Sequence, residues 1–200
     1  MAPSELVRQD PRRFDPVAAP RPFSVLADPD PIVGAAVLGD VLALERRPSR
    51  VLPLLDSWAD RFAGAVRSAD HESAYRWMAA LTDRAWPDDL RPHVDDVLDR
   101  VTRPDLVEAM AIDLSHDGDT SGAGARLVGA WGRRLVPLFL EWIVVDDAPI
   151  SRKYVVDHLA AIGRSDVAAL LPHLDDPRWF VVRNFATAVG RSGEANHCLE

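Results

Sequence analysis

Residues 175–193 read DDPRWFVVRNFATAVGRSG, and this stretch decides the fold. Two aspartates and a proline open it, a Gly-Arg pair comes near its end, and the apolar residues between them recur at helical spacing. On a 3.6-residue helix, Trp179, Val182, Ala186 and Val189 fall on one stripe, and Val181, Phe185 and Ala188 on a second. Together the stripes exceed the ~100° of surface that an ordinary amphipathic helix buries. The helix is therefore expected to pack on two sides. A narrow strip remains for Arg183, Asn184, Thr187 and Arg191.

The same pattern recurs upstream. ARLVGAWGRR (125–134), VVDHLAAIGRS (155–165) and VRNFATAVGRS (182–192) each carry a Gly-Arg pair near their end, at Gly132, Gly163 and Gly190, 31 and 27 residues apart. An acidic turn precedes each one: Asp117 and Asp119, then Asp146 and Asp147, then Asp175 and Asp176. A period near ~30 residues built from two helices marks an α-solenoid, in which each hairpin buries its core only by stacking on its neighbours. A second echo, LRPHVDD (90–96) and LLPHLDD (170–176), runs about one helical turn out of step with the glycines. The glycine register is followed for the last three units.

Helices are expected near 32–44, 50–68, 71–86, 88–101, 104–115, 121–132, 133–145, 149–163, 166–174 and 177–191, and no alternating strand pattern stands between turn signals. Asp30-Pro31 is a capping residue with proline at the first helical position. The fold class expected is all-α, an α-solenoid of stacked antiparallel hairpins with about ten helices. Residues 1–24, rich in proline, read as an extended leader; 25–103 read as divergent helical hairpins. Residues 104–200 read as regular repeats, the last incomplete, with EANHCLE starting a further unit.

These features resemble a HEAT repeat, in its short bacterial form related to phycobilisome lyases. The resemblance rests on ALLPHL in the first helix, the Asp175-Asp176-Pro177 turn, Val182-Arg183, Ala186 and Gly190. It is specific over 146–193, fair over 104–145 and faint before that. It implies a scaffold that binds proteins along a curved face; a few relatives act on tetrapyrrole attachment or alkylated DNA. It also implies that Arg183 pairs with an acidic turn residue, Asp175, Asp176 or Asp147, so that no charge is buried alone.

Charge and composition narrow the classes. The chain has 23 Lys plus Arg against 31 Asp plus Glu, a net charge of -8. A nucleic-acid partner is disfavoured, because a phosphate backbone calls for a dense positive surface. Cys198 is the only cysteine, so neither an intrachain disulfide nor a Cys-based zinc site is expected. No secretion signal or membrane span is legible, and a cytoplasmic protein is the expectation. Lys153 is the only lysine.

Candidate chemistry is sparse. DGDTSG (117–122) places Asp117, Asp119, Ser121 and Gly122 as in a calcium loop, but Val128 stands where a bidentate glutamate is required. The six histidines, His71, His93, His116, His158, His173 and His197, include no pair at metal-binding helical spacing. No metal and no cofactor are predicted. Trp77, Trp131, Trp142 and Trp179 are expected in the core, and Gly132, Gly163 and Gly190 as helix caps, with arginine at the negative helix end. Asp147 and Asp176 join them as structural residues. The partner surface is expected on the concave face lined by second helices, at Arg126, Lys153, Asp157, Arg183, Asn184 and Thr187. Their mixed chemistry suits a protein partner more than a row of phosphates. The function expected is a non-catalytic protein-interaction scaffold. The alternatives are a HEAT-like enzyme of the DNA glycosylase or bilin lyase type, or the regulatory part of a larger signalling protein.

Overall fold

A computed structural model describes residues 31–45, 47–117 and 122–193. The proline-rich leader, the Asp30 cap, most of DGDTSG, the incomplete last repeat, His197 and Cys198 lie outside the described residues, as does the side chain of His116. The described residues are all-helical, with no strand. The elements are α1 (Pro31–Leu44), α2 (Pro48–Arg67), α3 (His71–Thr82), α4 (Arg91–Val101), α5 (Pro104–Asp117), α6 (Ala123–Trp131), α7 (Val136–Val144), α8 (Arg152–Asp166) and α9 (Trp179–Ser192). Among the described residues, no helix is long and apolar enough to cross a membrane.

Local chemistry sets many of these boundaries. Proline stands in the first turn of α2, α4 and α7, where its missing N–H has no partner to lose. Asp70 caps α3 by accepting from the Ser73 N–H at 3.0 Å. The described residues hold fewer α-helices than the ten expected. The missing one is 166–174. Helix α8 runs through to Asp166, leaving a short segment with Pro172 near its middle. Proline there would clash with the carbonyl of Ala168 and remove a donor, so the chain takes two short 3-10 turns, Val167–Ala169 and Leu171–Asp175.

Helix α1 packs on α3, α3 on α6, α6 on α8, and α8 on α9, so these five form a row in chain order. Flanking them, α2 touches α1, α3, α4 and α5, α7 touches α8 and α9, and the turn Leu171–Asp175 touches α9. The buried apolar side chains form one cluster from Ala35 to Val189. At its centre Trp58 stacks on Phe62 (centroids 5.2 Å apart), and Phe62 meets the edge of Trp131 at 5.0 Å. Three indole N–H groups of this core have acceptors: Trp58 donates to the Trp77 carbonyl (2.6 Å), Trp86 to the Leu81 carbonyl (2.7 Å) and Trp131 to Thr102 Oγ1 (2.9 Å).

Only Gly132 of the three expected caps is one. Its φ of 66° ends α6 in a region that side chains rarely adopt. Gly163 lies inside α8, where a Cβ would meet Ser192 Cβ at 2.9 Å and Leu170 Cδ1 at 3.0 Å; it lets helices approach. Gly190 lies inside α9 in open space, and the left-handed cap there is Gly193, at φ 83°.

Helix α9 also buries less of its first stripe than expected, although Val189 on that stripe is buried. Val181, Phe185 and Ala188 are fully buried, but Trp179 is 68% exposed and Ala186 is exposed. Trp77, Trp131 and Trp142 are buried as expected. Trp179 and Ala188 are nine residues apart, which at ~100° per residue puts them on opposite faces.

His158 is buried in α8, stacked on Phe139 with centroids 5.7 Å apart. Burial drives its pKa down to about 4, against the opposing pull of Asp157 and the Ala111 backbone. His71 Nε2 lies 2.9 Å from Asp113 Oδ2, joining the start of α3 to α5.

Candidate functional site

Helices α8 and α9 and the end of α7 enclose a groove of about 660 Å³, within the ~300–1,000 Å³ range of ligand clefts. Val144, Val156 and Phe180 supply its apolar lining, and Trp179 adds an exposed indole. Four cations, Arg152, Lys153, Arg183 and Arg191, line it together with Asp146, Asn184 and Thr187.

Three of these cations have partners. Arg152 Nε donates to the Ile143 carbonyl at 3.0 Å, and its Nη2 lies 3.2 Å from Asp146 Oδ1. Lys153 Nζ lies 3.3 Å from Asp157 Oδ2, one helical turn on, and 4.6 Å from the centre of the Tyr154 ring. Arg191 reaches the other oxygen of Asp157 from α9. Asp157 is thus a clamp between the two helices, held between two cations.

Asn184 and Thr187 are fixed by their own helix. Asn184 Nδ2 donates to the Phe180 carbonyl and Thr187 Oγ1 to the Arg183 carbonyl, both at 2.8 Å and both four residues back. The Asn184 Oδ1 keeps its acceptor capacity, with no donor among the described residues.

The acidic-turn partner expected for Arg183 goes to another arginine. Arg178 donates to Asp176 through Nε (2.8 Å), Nη2 (2.7 Å) and its backbone N–H (2.9 Å). Those side-chain bonds, first among the causes, hold the Asp176 carboxyl down to about 2. Arg178 precedes α9 and needs no reach, whereas Arg183 stands roughly 7 Å further along the axis. The Arg183 guanidinium has no carboxylate within ion-pair distance among the described residues, and it is exposed. Asp147 is likewise exposed. Asp176 is thus paired with Arg178 and not with Arg183.

Of the six residues expected at the partner surface, Lys153, Arg183, Asn184 and Thr187 line this one groove, and Asp157 bridges two of its cations. Arg126 lies elsewhere, in a shallower depression of about 690 Å³ among α3, α6 and α8. There it pairs with Glu72 at 2.6 Å and covers the Tyr75 ring at 4.8 Å, tying α6 to α3. The Gly-Arg arginines form no ridge of free charge. Arg133 pairs with Asp166 at 2.6 Å and Arg191 with Asp157, each across to a neighbouring element.

Sequence reasoning missed Trp179, Arg152 and Asp146 as groove residues. For Trp179 the signal was present in its half-turn offset from the buried Ala188. For Arg152 and Asp146 there was none, since their meeting depends on how the α7–α8 turn folds back. Comparison of the chain with protein-family models, curated proteins and solved structures yields no match.

Proposed function

We propose that the chain is a non-catalytic interaction scaffold, an α-solenoid of HEAT-like units that binds a partner protein along the face shared by α3, α6, α8 and α9. The row of five helices in chain order is what stacked repeats would give. The observation that carries the binding reading is the convergence of Lys153, Arg183, Asn184 and Thr187 on one groove beside an exposed Trp179. Tryptophan and arginine are the side chains that most often dominate binding energy at protein interfaces. Asp146 and Asp157 both serve as ion-pair partners of the groove's cations.

The test is capture from native lysate with three forms of the full chain: wild type, Trp179→Ala/Arg183→Glu, and a control with Asp60→Lys on α2. The reading expects bound proteins that the wild type and the control retain and the groove variant loses, with all three melting alike. Retention of every bound protein by the groove variant would overturn it.

A further inference from the structure

The groove carries more positive than negative charge, although the chain as a whole is acidic. Four cations face two carboxylates, Asp146 and Asp157, leaving an excess of two positive charges at one place on a molecule of net charge -8. Arg183 supplies one of them directly, with no ionic partner among the described residues. The other is left where Lys153 and Arg191 share the one carboxylate of Asp157, and Arg152 can be freed as well. Its partner Asp146 has a side chain that is 98% exposed, and such a bridge is weak enough to be exchanged for an incoming carboxylate. Beside the charges stand the Trp179 indole, Val144 and Phe180, which an apolar side chain can cover. Asn184 Oδ1 offers an acceptor at the height of Arg183, of the kind a peptide N–H needs.

From this we infer that the α8–α9 groove takes an acidic linear peptide, in which carboxylates flank one apolar side chain. A carboxylate meets Arg183 in a two-pronged pair, a second exchanges with Asp146 on Arg152, and the apolar group between them seats on Trp179. The inference rests on the interaction reading above and names the chemistry of its partner. A nucleic-acid strand fits less well. It needs a positive track along its length, and here Asp146 and Asp157 interrupt the cations while Asp83 and Glu72 stand by the next depression. Complementary charge also predicts fast, salt-sensitive association.

The test selects 12-residue random peptides displayed on phage against the full chain, with depletion against Trp179→Ala/Arg183→Glu. Enriched peptides are then titrated by fluorescence polarisation. The expected result is a motif with at least two Asp or Glu around a Leu, Ile, Phe or Trp. Arg183→Glu should weaken its binding by about tenfold or more, Arg183→Lys by less, and added salt should weaken it throughout. Groove-dependent peptides that are neutral or basic would overturn the acidic-peptide inference and leave the interaction reading standing. A ten-nucleotide oligothymidine that binds in a groove-dependent way, where no peptide does, would overturn both. Groove-dependent dimerisation by sedimentation, with no peptide enriched, would give the site to a second copy and overturn the inference alone.

Discussion

His158 sits where a charge has no stabilising partner strong enough to hold it. In the unfolded chain its imidazole titrates near 6.5, and in the folded chain near 4. Between those values the unfolded state binds a proton that the native state does not, so stability falls as pH falls. It is complete above about pH 6.5 and drops by about 3 kcal/mol on the way to about pH 4. His158→Phe keeps a ring against Phe139 and should flatten that slope; urea titrations from about pH 7 to about pH 4.5 measure it. An unchanged slope in the variant would rule His158 out as its source. The two arginines of the α9 region separate in the same way. Arg183→Ala should change stability by no more than about 0.5 kcal/mol. Asp176→Asn should lower the unfolding midpoint near neutrality. That difference should shrink as pH falls from the ordinary carboxylate range toward about 2, where the wild-type Asp176 also takes a proton.

At the scale of the element, two glycines that look alike in sequence should behave in opposite ways. Gly163→Ala drives a methyl group into Ser192 and Leu170 and should cost about 1–3 kcal/mol. Gly190→Ala meets nothing within 4 Å and removes backbone freedom from a helix, so it should stabilise by about 0.5–1 kcal/mol. Thermal melts of the two variants check both signs. Nothing in the repeated Gly-Arg pair distinguishes these positions, because the difference lies in whether another element crosses there. The helices themselves were legible: apolar periodicity places α2, α5 and α9 within two residues of their observed ends. The lost element at 166–174 was legible only in part. Pro172 was visible, but not that α8 runs on to Asp166; near that end the Ser165 hydroxyl reaches the Gly129 carbonyl of α6 (3.1 Å) as well as Ile162 in its own helix (2.9 Å). Likewise the two apolar stripes of α9 were read correctly as apolar and wrongly as both buried. Which flank has a neighbour is a property of the stack.

At the scale of the whole molecule, the described helices share one core. Phe62 of α2 touches Trp58 of its own helix and Trp131 of α6, across a long stretch of chain. Phe62→Ala should cost about 3–5 kcal/mol and lower a single unfolding transition seen alike by far- and near-ultraviolet circular dichroism. Two separated transitions would mean that the halves melt independently, as weakly coupled repeats do. Lys153, Arg183, Asn184 and Thr187 come to one groove because spacings of three and four residues bring 183, 184 and 187 to one side of α9, and α8 packs beside it; Arg126, on α6, lies in another depression. Which residues on that face were left without partners could not be read, since the ion pairs run between elements: Arg126 to Glu72, Arg134 to Asp95 and Asp99, Arg191 to Asp157.

The row α1, α3, α6, α8, α9 has a consequence for how the chain is made. Each member packs on the one before it, so the order of synthesis is the order of packing. A ribosome releasing this chain from its N-terminus never exposes a helix whose earlier neighbour is still to come. The emerging end has a docking surface waiting, and the growing edge is always the newest helix. Among the described residues α9 is the last member of this row, and its Trp179 is turned to the water.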